Sequence, residues 1–466
     1  MKSLVYLMIT SMALTGCSVT LPTDLEQKHQ SLIASNWKHG QGFETDRALR
    51  EPPSIWWKRW DNATLSFLVS KTLENNTDIA IATANLRSAQ AALTRAKSNL
   101  WPSANLGGNA TDRWQNHDWT QSYSVETSAS WSLSFGGREW SEYSASKASS
   151  KAKYLDLEDT QSAMTSEVAK TYILLCQAYE QVRILHQTVR SYEEGKNLAQ
   201  WRYQAGLVSV VDAEQANASF ESMKAQIATA EHTVFAYQTA LARMTVLPLS
   251  EIQSLPLSPM PEAPKDIAVS IPAETLSLRP DVLAAREEVV AALYNVRAAK
   301  ADFFPTLSLT GSFGTAAATV GALGASGTGI GALIGALSMP ILNWGDAVAG
   351  TEVQKAALDS AQAQYTLTIM KALEETENAL SLVRTAQKRY VSLARAQQSS
   401  QLTAKIALQQ YSSGLTDYQT VLTTQRSWLS AQEVFNSNKA QLAQAYIDLY
   451  RALGGGWTPT EDIKDN

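Results

Sequence analysis

The chain of 466 residues carries 39 Lys and Arg against 44 Asp and Glu, a formal net charge of −5, and only 18% charged residues. That balance excludes the basic footprint of a nucleic-acid-binding protein. No run after the first residues is uncharged, apolar and long enough for a membrane helix, and the nearest candidate, 311–342, is too rich in glycine to hold one.

Lys2 gives a short positive start, and Leu4 to Leu14 is an apolar segment of about 11 residues, far below the ~20 a bilayer requires. Leu14-Thr15-Gly16-Cys17 follows. This pattern resembles a bacterial lipoprotein signal, so residues 1–16 are expected to be removed and Cys17 to be lipidated. Ser18 rather than Asp comes next, so no inner-membrane retention signal is present. Residues 17–62 then form an N-terminal, lipid-anchored segment. The other thiol, Cys176, has no partner for an intramolecular disulfide and reads as a small apolar helix residue.

The rest of the chain repeats itself. Asp78 and Asp281, Lys97 and Lys300, Pro102 and Pro305, and Gly108 and Gly311 all stand 203 residues apart. Further on the offset is 208, pairing Gly137 with Gly345, Tyr203 with Tyr411 and Gly206-Leu207 with Gly414-Leu415. The two repeats span 63–246 and 276–453. Between them a proline-rich stretch, 247–275, reads as a linker, and 454–466 is a tail.

Each repeat opens with a helix, from Asn76-Thr77-Asp78 to Leu100 and from Arg279-Pro280-Asp281 to Phe303. Strands follow. Over Ser122–Phe135, Tyr123, Val125, Ala129, Trp131, Leu133 and Phe135 alternate with serines and Glu126, a period of two with one apolar face. Fourteen residues at about 3.4 Å reach roughly 45 Å, enough to cross a membrane at a tilt. Its partner is 103–114, across an expected loop Gln115–Gln121 that holds Trp119. The second repeat should place strands at 306–314 and 330–342.

The period then changes. From Met164 through Val168, Tyr172, Leu175, Tyr179, Val182, Leu185 and Val189 to Tyr192, apolar residues advance by threes and fours, the coiled-coil repeat. A helix is expected over Ser144–Tyr203, about 90 Å long, turning at Gly206 and returning through Arg243. The second repeat should run from Thr351 to Tyr411, turn at Gly414 and return to Leu453. The fold class is therefore mixed: long coiled-coil helical hairpins plus four strands per chain for a transmembrane β-barrel. Four strands cannot close, and open edges are not tolerated in lipid. The subunit must oligomerise, and strand arithmetic allows a dimer of eight strands or a trimer of twelve.

No catalytic constellation accompanies this. His29, His39, His117, His186 and His232 are scattered without metal-ligand spacing, and neither G-x-S-x-G nor a phosphate-cradling loop occurs. Glu374-Glu375-x-Glu377 reads as a solvated helix face. Neither enzyme activity, a cofactor nor a bound metal is expected.

Several motifs in order carry a resemblance over the whole mature chain: Trp57-x-x-Trp60, Leu65-x-x-Leu68, Leu278-Arg279-Pro280-Asp281, Ser130-Trp131-x-Leu133-x-Phe135-Gly136-Gly137-Arg138, Asn343-Trp344-Gly345, Tyr411-x-x-Gly414, Thr424-Gln425-Arg426 and Leu449 to Trp457. The chain resembles the TolC-like outer membrane factors of the lipidated OprM/NodT type. The resemblance implies a homotrimer with a twelve-stranded barrel in the outer membrane and a helical barrel in the periplasm. The implied partners are a periplasmic adaptor and an inner-membrane transporter of the RND or MFS type, and the implied role is tripartite efflux of small molecules. One-step protein secretion is the alternative, and a structural coiled-coil lipoprotein is the rival from another class, which leaves the strand pairs unexplained. The turns Ala205-Gly206-Leu207 and Ser413-Gly414-Leu415 match the family's adaptor-docking tips. Its periplasmic gate maps to Tyr411, Gln419, Thr423 and Arg426, with Asp417 and Asp212 nearby. Thr423 stands where the family's acid is expected. The resemblance also suggests that Tyr411 and Arg426 tie neighbouring helices together in the closed state.

Overall fold

The computed structural model describes residues 33–40, 55–115, 117–256, 259–264, 272–339, 341 and 344–457. Cys17, the signal 1–16 and most of 17–62 lie outside the described residues, as do Asn343 and the tail beyond Trp457. In chain order the elements are α1 (Ala63–Asn75), α2 (Thr77–Ser98), β1 (Ser103–Gln115), β2 (Asp118–Ser134), α3 (Arg138–Gln204), α4 (Val210–Thr245), α5 (Leu249–Gln253), α6 (Pro272–Leu278), α7 (Pro280–Lys300), β3 (Thr306–Ala317), β4 (Gly329–Ser338), α8 (Trp344–Ser412) and α9 (Tyr418–Ala452). No described helix is long and apolar enough to cross a membrane.

Packing divides the chain into two units. The first comprises the described residues of 84–155 and 283–368. It holds one antiparallel sheet in the order β1-β2-β3-β4. The two repeats therefore join through β2 and β3, with Trp131 opposite Leu309 and Thr127 opposite Phe313. The expected loop Gln115–Gln121 is a tighter turn: β2 starts at Asp118, and Trp119 is a strand residue opposite Trp114. Extending the ladder brings the two indoles to 5.3 Å, while His117 supplies a left-handed φ of +70°. In the second hairpin β3 runs on to Ala317 and β4 stops at Ser338 instead of 342. Pro340 and Leu342, which the expected strand included, lie outside the described residues.

Where β2 hands over to α3, Gly136 lies against α7's end: a Cβ there would sit 2.6 Å from the Ala301 Cα. Arg138 bonds Glu142 at 2.9 Å and Asp302 at 2.5 Å, fixing the corner. The two long helices start earlier than the periodicity predicts, at Arg138 and Trp344, and run 67 and 69 residues.

The second unit comprises the described residues of 33–83, 156–282 and 369–457. One core gathers Trp56, Leu65, Leu68, Ile173, Leu241, Leu380, Ile447 and Leu449. Trp56 stacks on Tyr450 with centroids 5.5 Å apart and planes 13° from parallel. A second core lies near the helix turns and includes Leu185, Tyr192, Phe220, Tyr411, Tyr418 and Leu422. The linker 247–275 is not structureless: Pro248 caps α5 and Pro272 opens α6, positions where a missing N–H costs nothing. Cys176 is buried, and burial pushes its thiol up to about 11.

Candidate functional site

Both helical hairpins turn on the same local structure. At the first, the Gly206 N–H donates to the Tyr203 carbonyl (2.9 Å) and Leu207 N–H to Arg202 (2.8 Å); at the second, Gly414 donates to Tyr411 (3.0 Å) and Leu415 to Gln410 (2.9 Å). These paired bonds form Schellman caps, which need a left-handed residue at the turn. Gly206 and Gly414 supply it with φ of +72° and +75°. The caps leave Leu207 and Leu415 projecting, 67% and 77% exposed, beside exposed Ala205 and Ser413.

The residues matched to the gate do not form one cluster within the chain. Tyr411 is buried, its ring 5.2 Å from Tyr418. The Arg202 guanidinium lies 4.7 Å over that ring and donates to the Tyr411 carbonyl. Burial raises the Tyr411 hydroxyl, Arg202 opposes the shift, and the Asp212 charge on α4 adds to it. Arg426 instead faces Tyr192, whose hydroxyl burial raises and Arg426 lowers. Tyr411 and Arg426 thus each engage α3, through different partners. Gln419 accepts from Gln215 Nε2 at 2.9 Å, and the Thr423 hydroxyl donates to the Gln419 carbonyl of its own helix. Asp417 is the N-cap of α9, accepting from the Thr420 N–H and hydroxyl, both at 2.7 Å. Those bonds hold its carboxyl below the usual range. An open cleft of about 440 Å³, of mixed polar and apolar lining, runs between Tyr192 on α3, Gln215 and Met223 on α4, and Arg426 and Leu429 on α9.

The sequence assigns no site role to Arg202, Tyr418 or Gln215, and Tyr192 reads there only as a coiled-coil residue. One signal was present: by the 208-residue offset, Arg202 faces Gln410 in the other repeat, so the cation breaks the internal symmetry.

The acidic run faces solvent as expected, with Glu374 and Glu375 exposed, but it also holds partners. Arg279, 5% exposed, is held by Asp281 (3.0 and 2.7 Å) and by Glu375 (2.7 Å). Burial alone would lower its pKa, but the two carboxylates outweigh that and raise it. Glu377 accepts from the His39 N–H at 2.9 Å. Two of the three glutamates therefore join elements rather than only meeting water. Beside Arg279, Trp457 Nε1 donates to the Leu278 carbonyl (2.8 Å), and a Cβ on Gly454 would lie 2.8 Å from that oxygen.

The sheet sorts its faces cleanly over most of its width. The register puts Leu106, Thr127 and Phe313 in one row, Trp131 with Leu309, and Leu133 with Leu307 and Leu337. Leu106, Phe313 and Leu333 on this face are 75–84% exposed, a surface no water-soluble sheet leaves bare. The opposite face of β1 to β3 is mostly Ser, Thr, Asn and Gly, with Glu126 midway along β2 and Arg113 and Asp118 near the β1–β2 turn. Trp114 and Trp119 mark one end of the apolar face and Trp131 the other. Twelve residues of β2 separate them, roughly 40 Å along the strand and under ~30 Å across a bilayer at ~45° tilt. The strands β1 and β4 are the sheet's edges.

Comparison with known proteins agrees with this geometry. A family model described as outer membrane efflux protein matches residues 68–245 and 271–455, once in each half. The toluene efflux pump outer membrane protein TtgF of Pseudomonas putida is 27% identical over 472 residues, 96% of this chain and 95% of that protein. The cation efflux system protein CusC of Escherichia coli is 28% identical over 467 residues, 96% of this chain and 97% of its own length. The crystal structure of the Campylobacter jejuni CmeC outer membrane channel superposes with a TM-score of 0.87 at 26% identity, covering 96% of this chain and 95% of that one. Two matched halves, each a strand pair followed by a long helical hairpin, make this chain a member of the outer membrane efflux protein family.

Proposed function

We propose that this chain is the outer-membrane duct subunit of a tripartite efflux assembly and works as a homotrimer. The observation that carries the proposal is the four-stranded sheet with one apolar face, one largely polar face and two edges. Edge strands must be paired in lipid. Three copies pair β4 of one with β1 of the next, giving twelve strands around a water-filled lumen. Cys17 is the lipid anchor, and the helical hairpins extend into the periplasm. Ala205-Gly206-Leu207 and Ser413-Gly414-Leu415 dock a periplasmic adaptor, which joins the duct to an inner-membrane transporter of the RND or MFS type. The relatives are named for efflux of toluene and of cations, which favours small solutes over secreted proteins. The transporter does the work; this chain provides the path and needs no cofactor.

The periplasmic end is closed by contacts to α3: Arg202 with Tyr411, and Tyr192 with Arg426, beside the Gln215–Gln419 pair. Asp212 and Asp417 bias this end electrostatically, and Thr423 leaves the family's acidic position uncharged. Arg426→Ala should raise conductance in planar bilayers; an unchanged value removes Arg426 from the gate. The whole proposal is tested by deleting the gene and measuring accumulation of drugs, dyes and metal ions, together with gel migration of the protein. Raised accumulation and a heat-sensitive band of trimer mass are expected. A monomer that leaves the membrane once its lipid is removed would instead indicate a coiled-coil stalk.

A further inference from the structure

We infer that the inner wall of the barrel carries a track for amphipathic organic cations, made by Glu126 on β2 with Ile330 and Ile334 on β4. This rests on the duct reading and names the solute chemistry its barrel favours. The face opposite the lipid-facing tryptophans is polar on three strands. On the fourth it is not: the register places Ile330, Ala332 and Ile334 in rows with Gly314, Ser312 and Thr310. Membrane contact does not explain them, because Leu333 and Leu337 already supply the lipid side of β4. Nor are they core, since Ile330 is 42% and Ile334 59% exposed. Apolar surface left in a water-filled lumen is unfavourable, unless solute covers it in passing.

Glu126 provides the complementary charge. It lies in the same row as Ile330, with Gly314 between them. Two strand spacings set the separation at about 10 Å, the length of a small drug. A Cβ on Gly314 would come within 2.7 Å of the Glu126 Cα, so the row is kept free of any side chain between carboxylate and isoleucine. Glu126 makes no ion pair with a described residue, leaving its charge for a passing solute. A cationic head over Glu126 lays an apolar body across to Ile330 and Ile334. Three copies give three such tracks, and contact must be weak enough to release, as in any conducting pore.

The test uses the purified full-length protein in planar bilayers, with tetraphenylphosphonium as the amphipathic cation and tetramethylammonium as its hydrophilic counterpart. Wild type should be blocked by tetraphenylphosphonium at concentrations at least ~10-fold lower than by tetramethylammonium. Glu126→Gln and the double variant Ile330→Ser/Ile334→Ser should each weaken tetraphenylphosphonium block about 5-fold or more, with potassium conductance changed less than ~2-fold. Ile330→Val/Ile334→Val keeps the apolar track and should retain the block, which guards against a folding defect in the serine variant. Equal block by the two cations, or block unchanged in both weakened variants, overturns the track while leaving the duct intact. Absence of any conductance from both wild type and Arg426→Ala overturns the duct reading itself.

Discussion

Asp159 on α3 shows what one half-buried carboxylate does to the second unit. Burial pushes it up to about 6; Asp281 adds repulsion, Arg451 and Arg279 oppose, and Asp156 adds a smaller repulsion. The unfolded value is near 3.9, so between about pH 4 and 6 the folded chain holds the extra proton. Stability then falls as pH rises through that window. Asp159→Asn should therefore stabilise the protein at pH 7 by on the order of 2 kcal/mol and flatten the pH dependence of thermal unfolding in detergent between pH 4 and 6. Arg279→Ala has the opposite expectation, a loss of about 3 kcal/mol from stranding its partners, read by the same melts. The motif Arg279-Pro280-Asp281 was legible from sequence, but its partner Glu375 was not. Glu375 lies 96 residues away, and a helical run of glutamates looks solvated until a buried cation is set against it.

At the scale of elements, local pattern was read well where its period was clean. Strand β2 alternates apolar residues with serines, whereas β4 is Gly-Ile-Gly-Ala-Leu-Ile-Gly-Ala-Leu-Ser, apolar on both faces, so its end was misplaced. Pairing of β2 with β3 depends on Gly314, which lies tight against Val125 and Glu126. Gly314→Val should separate the repeats' hairpins and abolish the heat-sensitive oligomer band on gels. The two helical returns differ although their turns match. Asp417 caps α9 with its side chain, while Ser209, its counterpart, makes no cap bond to α4. Amide exchange near the second turn should accelerate in Asp417→Ala, while Ser209→Ala should leave the first turn unchanged. Gly206→Ala and Gly414→Ala force an L-residue into the left-handed region, each costing about 1 kcal/mol.

For the whole molecule, assembly and anchoring are separable in this reading. Cys17→Ala should abolish labelling by a fatty acid, yet keep the oligomer band, because the barrel and not the lipid closes the strand edges. The duplication, the lipoprotein-like start and the change from two-residue to coiled-coil periodicity are all carried by neighbouring residues, and the sequence by itself determined them. Local sterics and the sidedness of each element suffice to write such patterns. Only the tertiary structure decided that β2 pairs with β3, that Arg202 rather than Arg426 meets Tyr411 across 209 residues of chain, and that Trp457 closes onto Leu278. Those choices depend on which surfaces fit once the helices are packed, and no single stretch of sequence holds both halves of the fit.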